Sequence, residues 1–560
     1  MDTIELDRAV EILQRNKNRW ANLTVLEKVE LVDQLIRGVL SIADRQVAKS
    51  LEAKGISPDS PQSAEEWIAG PLIVIRNLRL LRESLRQIAR YGVPRIRPEG
   101  VRTRLDGQVV VEVFPYDIFD KILYRGFRAE VWMQPDVRLN RLSETMASFY
   151  KQSQPEGRVC LILGAGNVSS IAPLDVIYKL FVEGKVCLLK LSPVNDYIGV
   201  FIEEAFAPLI KDGYLQLVYG SADVGAYLCE HTGVDEIHIT GSAETHDAIV
   251  FGTGGERAER RSSKRPRLTK RITSELGNVS PVIVVPGNWS RGDLKFHSEN
   301  VATQMTNNAG FNCNAAKVLI THADWAQRNS FLDTLRNTLR SIPTRRAYYP
   351  GAFDRYRRFV EPHPQSKSFG SRTEGNLPWT LIPGINPQCR DDVCFTQEAF
   401  CGIMAETPLP ANDAAEFLRQ AVHFCNTTLW GTLNACIIVH PKMAAELGPV
   451  LDEAVSDLHY GSVAINHWPA LSYGFGVTTW GAYPGHTPDD IQSGVGVVHN
   501  TLMFDEPQKS VIYGPFRIWP KPAWFATHKS AHKLTPILTR FEAHPRWSLI
   551  PQLMWHALRG

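Results

Sequence analysis

Two residues able to do acyl-transfer chemistry each stand just before an apolar run that reads as a strand: Cys313 in NNAGFNCNAAKVLITH and Glu275 in ITSELGNVSPVIVV. A cysteine thiolate attacks carbonyl carbon readily, and the small residues after Cys313 leave a carbonyl room to approach the sulfur. A carboxylate shielded among apolar groups has a raised pKa and can take a proton from water near neutral pH. Each residue also has a plainer reading, because free cysteines are common in cores and a carboxylate in such a turn can close a salt bridge or cap a helix. Four further motifs accompany the pair: LILGAGNVSS with Asn167, LLKLSP with Lys190, HITGSAETHDAIVFG with Thr240, Gly241 and Ser242, and QEAFCG with Glu398 and Phe400. GAGNVSS follows a strand-like run, but Ser169 occupies its third glycine position and no acid follows the next strand, so it is not the GxGxxG dinucleotide fingerprint.

The elements that must hold these residues can be read from periodicity. Up to about residue 95, apolar positions recur at helical spacing, as in Val25, Val29, Val32, Leu35, Ile36 and Leu40, which predicts a helical layer. Around 100 to 135 the β-branched and aromatic text of GQVVVEVFPYDIF predicts strands or a hairpin ribbon. From Arg158 to about Val285, VCLIL, VCLLKL, LQLVYG and EIHIT alternate with helical text, including a helix from about 197 to 211. That order predicts βαβ units and a parallel sheet, whose strand C-termini are where nucleotides bind. A second α/β set, with PVIVV, KVLITH, TLNACIIVH and GSVAIN, runs from about 280 to 465. Residues 469 to 500 read as loop, and the last fifty residues show no clear period.

In this order and combination, the motifs resemble the aldehyde dehydrogenase superfamily over roughly 140 to 500. The resemblance implies an α/β fold with two α/β domains, nucleotide-binding and catalytic, and a small β oligomerisation ribbon. Residues 1–278 would form the helical layer and nucleotide-binding domain, with ribbon strands within about 100–150. Residues 279–468 would form the catalytic domain, and 469–560 a return to the nucleotide domain, an oligomerisation segment and a basic, aromatic C-terminal extension. Cys313 matches the family's nucleophile, with Phe311 where Gln is usual. Asn167 matches the Asn whose amide joins the cysteine's backbone N–H as an oxyanion hole, a kind of donor worth about 3 kcal/mol in the transition state. Glu275 matches the general base that activates water against the thioester. For a bound NAD or NADP, Lys190 matches the contact to the adenosine ribose and Glu398 the contact to the nicotinamide ribose, with Phe400 beside it. Gly241 and Ser242 match the turn that opens a helix toward the pyrophosphate, with Thr240 near the nicotinamide. Oxidation of an aldehyde to a carboxylic acid, by a homodimer or homotetramer, is the activity so implied.

Three departures reshape the loops of this pattern: Ala165-Gly166 for Pro-Trp, Asn278 for the second Gly of ELGG, and Cys401-Gly402 for Gly-Pro. GNVSS and LKLSP also resemble acyl-thioester reductases, so reduction of a fatty acyl thioester to aldehyde is the enzymatic alternative. A binding or structural protein on a retired dehydrogenase fold is the non-enzymatic one. Pro193, three positions after Lys190, replaces a Glu common in NAD-selective members, so no acid there repels the 2′-phosphate of NADP.

Composition sets the outer limits. The 560 residues exceed one hydrophobic core, and 44% hydrophobic with 21% charged residues exclude a disordered or fibrous chain. Nine cysteines without repeated short spacing predict reduced thiols and neither a disulfide framework nor a zinc site of paired CxxC motifs. The charged N-terminal text has no secretory h-region and no apolar run is long enough to span a bilayer, which predicts a cytoplasmic protein. A net charge of +2 gives no general case for nucleic acid. Basic residues cluster at 257 to 271 and again from Lys509 onward. The first run reads as a solvated insertion that could also reach a 2′-phosphate. The second, with Trp519, Trp524, Trp547 and Trp555, reads as a tail packed across a subunit or a substrate tunnel, with peripheral membrane contact as the alternative.

Overall fold

The structure, a computed structural model, describes residues 2–370 and 373–560. Two sheets organise it. The first has six strands in the order 494–495, 271–276, 236–241, 159–163, 186–190 and 215–218, all parallel except the antiparallel edge strand Gly494–Val495. Strands 159–163, 186–190 and 236–241 are buried on both faces, as the inner strands of a parallel sheet must be. The second sheet has eleven strands, in the order 101–103, 109–114, 128–133, 507–513, 462–465, 434–438, 280–284, 316–322, 403–409, 379–382 and 367–369. The chain leaves the first sheet at Leu276 and enters the second at Ser280.

The strands read as a ribbon, 101–103, 109–114 and 128–133, are antiparallel and are built into this second sheet. Strand Pro507–Tyr513 joins them to it, antiparallel to Arg128–Met133 and parallel to Ser462–Ile465. The ribbon is therefore bonded to its own chain's sheet along one side.

The N-terminal layer consists of the helices Thr3–Ala21, Val25–Lys54 and Ile73–Tyr91, the first two opened by capping boxes at Asp2/Glu5 and Thr24/Glu27. Val29, Val32, Leu35 and Ile36 are buried as their spacing predicts, and Val25 and Leu40 are partly so. The helix predicted over 197 to 211 is two, Gly199–Ala205 and Ala207–Lys211, because Pro208 has no N–H to continue the first. The basic run at 257 to 271 is ordered as well: helix Gly254–Ser262 covers its first part, and Arg267 to Lys270 line the large cavity described below.

Beyond residue 508 the chain forms helix Ala531–Ala543, which packs on the chain's own N-terminal layer, and helix Ile550–Ala557, which packs on the first. Glu542 is buried and accepts hydrogen bonds from Arg76 Nη1 at 2.8 Å and Arg79 Nη2 at 2.8 Å, while Arg76 Nη2 donates to Asp120 at 2.9 Å. The guanidiniums hold the Glu542 carboxyl below its ordinary pKa despite burial. Removing one partner of a buried pair strands the other, so Glu542→Ala is expected to cost about 3 to 5 kcal/mol. A urea midpoint equal to that of the parent would contradict this. Among the described residues no helix is long and apolar enough to cross a membrane.

Candidate functional site

The parallel register brings distant motifs side by side. Leu163 pairs with Lys190 and with Ile239, and Thr240 pairs with Glu275, so GAGNVSS, LLKLSP, ITGSAE and ITSELG all end at one edge of the six-stranded sheet. In the second sheet, strands 280–284, 316–322 and 403–409 are parallel neighbours. Their entry loops carry Gly277, Cys313 and Glu398, and these face that same edge. A cavity of about 1500 Å³ lies between the two sets of loops. It is lined by all nine residues singled out from the sequence: Asn167, Lys190, Thr240, Gly241, Ser242, Glu275, Cys313, Glu398 and Phe400.

Cys313 and Glu275 are in contact, the thiol donating to Glu275 Oε1 at 3.4 Å. Burial pushes the thiol well above its ordinary value, and the carboxylates of Glu275 and Glu398 push it further, so the resting sulfur is protonated. Burial also raises Glu275, to about 7, and the buried Asp175 adds to the rise. The thiol's hydrogen bond opposes that rise. The Trp480 indole faces the same carboxyl without closing a hydrogen bond of good geometry, and its downward pull is smaller than burial.

The turn before Cys313 is held by long-range contacts. Asn308 and Ala309 both have left-handed backbone, φ 51° and 57°, as a chain tolerates where neighbours over-determine it. Here Lys54 Nζ, at the end of the second helix, donates to Asn308 Oδ1 at 3.0 Å and to the Asn167 carbonyl at 3.2 Å, and pairs with buried Glu66 at 2.7 Å. Tyr348 donates at 2.9 Å to the same two acceptors. A Cβ on Gly310 would sit 2.6 Å from the Cys401 carbonyl carbon, so only glycine lets the two entry loops approach. Lys317 Nζ then joins them, donating at 3.2 Å to the carbonyls of Gly310 and Cys401.

Asn167 reaches the cavity with its side-chain amide donating one N–H to the Phe311 carbonyl at 2.9 Å, which leaves the amide's other N–H available. Lys190 is mostly buried, and desolvation lowers its pKa while Asp196 opposes. Thr240 donates to Asp175 Oδ2 at 2.9 Å. Gly241 and Ser242 are exposed to the cavity, and Ser242 Oγ caps helix Ala243–Phe251 by accepting from the Thr245 N–H at 3.1 Å. Glu398 is raised to about 7 by burial, and its Oε1 has no hydrogen-bond partner. The Asn278 N–H holds the same carboxyl down, and a Cβ on Gly277 would lie 2.0 Å from its Oε2. Phe400, in left-handed backbone at φ 41°, packs edge-on against Tyr349 at 4.9 Å.

The departures from the family pattern have local causes. Phe311 fills an aromatic wall with Tyr348, Tyr349 and Phe400. Asn278 donates to the Asn434 carbonyl at 2.8 Å, and Asn195 to the Ala165 carbonyl at 3.1 Å. Several lining residues were not found from sequence: Asp223, Glu230 and Glu244 add acids to the cavity and Arg355 adds a cation, whereas Arg267 and Lys270 come from the basic run at 257 to 271. Asp175 carried a signal, being an acid inside the apolar helix text IAPLDVI. Lys54, Asn308 and Tyr348 carried none, because their roles arise from contacts between distant segments.

A family model described as the aldehyde dehydrogenase family matches residues 127–351. Over 312 residues the chain is 26% identical to 4-trimethylaminobutyraldehyde dehydrogenase of Oryzias latipes, covering 50% of this chain and 55% of that one. Over 271 residues it is 26% identical to 1-pyrroline-5-carboxylate dehydrogenase of Oceanobacillus iheyensis, covering 46% and 49%. The chain thus spans about half the length of these curated relatives. The fold is similar to that of an NAD-dependent aldehyde dehydrogenase from Sinorhizobium meliloti, with TM-score 0.61, 16% identity, and 93% and 88% of the two chains covered. It is also similar to an NADP-dependent glyceraldehyde-3-phosphate dehydrogenase from Bacillus halodurans complexed with NADP, with TM-score 0.60, 15% identity, and 91% of each chain covered. Over the matched stretch from the ribbon to beyond Cys313 the chain is similar to the aldehyde dehydrogenase family, and over nine-tenths of its length it has the fold of aldehyde dehydrogenases.

Proposed function

We propose that the protein oxidises an aldehyde to a carboxylic acid with NAD or NADP, by covalent catalysis at Cys313. The observation that carries this reading is the contact between the Cys313 thiol and Glu275 inside the cavity that also holds Asn167, Lys190 and Glu398. As sulfur attacks the aldehyde carbon, the thiol proton passes to Glu275 Oε1, which is poised near neutrality to take it. The free N–H of Asn167 and the backbone N–H of Cys313 stabilise the oxyanion of the thiohemiacetal. An oxidised nicotinamide dinucleotide held by Lys190, Glu398 and the Gly241–Ser242 turn would supply the hydride acceptor for that carbon. Glu275 releases its proton to solvent, then deprotonates the water that cleaves the thioester on Cys313 and frees the acid.

The cavity suits a dinucleotide. The helix N-terminus at Gly241 and Ser242 offers free N–H groups to a pyrophosphate, and Lys190 offers an ammonium at the adjacent strand end. Glu398 has an unpartnered buried oxygen that a ribose hydroxyl would satisfy, with Phe400 beside it. Thr240 would border the nicotinamide. The chemistry needs Cys313 reduced, which favours a reducing compartment, the cytoplasm. We also take the working form to be a homodimer or homotetramer, on the resemblance of its relatives.

The test is formation of reduced cofactor over an aldehyde chain-length series with NAD and with NADP. We expect turnover with at least one aldehyde, and measurable activity with NADP because Pro193 presents no carboxylate to a 2′-phosphate. No turnover with any member of the series would overturn the reading. An NAD preference above about a thousandfold would assign the guarding acid to another wall residue, Asp223 first.

A further inference from the structure

Among the described residues, His363, Asp392 and Cys394 form a cluster of metal-ligating side chains outside the proposed catalytic machinery, with one ligand atom of each within 4.8 Å of the others. His363 follows helix Ala352–Val360, and the other two open the short turn Val393–Thr396, which leads directly into Glu398. His363 and Cys394 are buried and Asp392 is partly so.

The hydrogen bonds set the imidazole for coordination. His363 Nδ1 lies 2.6 Å from the Phe359 carbonyl oxygen. A carbonyl only accepts, so Nδ1 carries a hydrogen and Nε2 is the ring atom turned to the cluster. A metal-ligating histidine is typically oriented in this way, its second nitrogen donating to a backbone carbonyl. Nε2 points at Asp392 Oδ2, 3.0 Å away. A lone pair facing a carboxylate is repulsive unless a cation lies between them or the ring takes a second proton. The other carboxylate oxygen, Asp392 Oδ1, is committed to the Cys394 N–H at 2.8 Å, which leaves Oδ2 to the cluster.

We propose that His363, Asp392 and Cys394 bind one zinc-like divalent cation, with water as its fourth ligand. Imidazole nitrogen, carboxylate oxygen and thiolate sulfur are a zinc donor set, and bonds of about 2.0 to 2.3 Å in a tetrahedron separate ligand atoms by about 3.3 to 3.7 Å. The nitrogen and oxygen already stand near that separation, and the sulfur has at most about 1 Å to move. Coordination takes the thiolate, so the Cys394 proton leaves to solvent. One carboxylate and one thiolate then balance the two charges of the ion, which suits a cluster this buried. The ion ties helix Ala352–Val360 to the turn before Glu398. Arg355 of that helix lies over the rings of Tyr349 and Phe400 and lines the cavity, so the ion fixes one wall of it.

The experiment uses full-length C313A protein, so that the cavity thiol does not contribute. The protein is stripped with chelator, dialysed against zinc, freed of excess and assayed for metal, and a cobalt(II) sample is scanned for the near-ultraviolet thiolate-to-cobalt band. About one zinc per chain and a cobalt band are expected, with Cys394→Ser and His363→Gln in the same background retaining under about a tenth of the zinc and losing the band. Folded C313A protein that takes up no zinc, or that gives no thiolate-to-cobalt band, overturns the proposal whether or not the two variants fold. Equal uptake by folded variants overturns it as well. Failure of the dehydrogenase reading would leave these measurements unaffected.

Discussion

Cys313→Ala is expected to lower aldehyde turnover by at least about 10⁴-fold while dinucleotide binding stays within a few-fold of the parent, because in the proposed mechanism the sulfur forms the covalent bond but is one of many groups lining the cavity. The substitution removes the thiol that donates to Glu275 at 3.4 Å. That hydrogen bond holds the carboxyl down, so its loss lets burial raise Glu275 further, and the variant's base should titrate above that of the parent. Fluorescence titration with reduced cofactor measures the binding, and steady-state rates over the aldehyde series measure the chemistry. Activity within about tenfold of the parent would remove Cys313 from the role of nucleophile. Loss of cofactor binding together with turnover would mean that the substitution had collapsed the turn held by Lys54, Asn308 and Tyr348.

That turn marks the boundary of what the sequence made legible. The buried parallel strands VCLIL and VCLLK were readable because they must be apolar on both faces and so stand out as short uninterrupted runs, whereas EIHIT was readable from its β-branched residues and its place in the strand-helix order. The motif residues were readable because they sit at strand ends, where a polar group interrupts such a run. The two C-terminal helices were not, since Thr535, Thr539 and the internal Pro536 blur the apolar stripe of the first, and its buried Glu542 reads as solvent-facing until Arg76 and Arg79 are beside it. Helix Gly254–Ser262 has no buried residue, so no hydrophobic face announced it. The fixing of the ribbon to its own sheet depends on pairing Arg128–Met133 with strand Pro507–Tyr513, which lies nearly four hundred residues further along the chain. Periodicity within a segment carries no record of such a partner.

Glu275→Gln separates the two half-reactions. Glu275 takes the thiol proton once and activates water against the thioester afterwards, so single-turnover experiments with excess oxidised cofactor should keep a burst amplitude of about one reduced cofactor per site, formed more slowly than in the parent, followed by release of acid slowed by about 10² to 10⁴-fold. The parent's steady-state rate should rise with pH through about 7, where Glu275 becomes ionised, and the variant should lose that limb. Glutamine also removes a negative neighbour of the Cys313 thiol, so the pH midpoint for alkylating that sulfur should fall in the variant. Stability follows the opposite sign from an ordinary salt-bridged acid. With its folded value raised to about 7 from 4.5, Glu275 binds its proton more tightly in the native state, so native stability falls as pH rises from about 4.5 to 7. Glutamine abolishes that loss, which at about 1.4 kcal/mol per pKa unit is on the order of 3 kcal/mol, so the variant should melt higher relative to the parent at pH 8 than at pH 5. If the variant releases acid at the parent's rate, Glu275 is not the base for hydrolysis; if the parent turns over only when coenzyme A is supplied, the thioester is not cleared by water. The cavity would then be assigned to acyl-thioester chemistry run in the reductive direction.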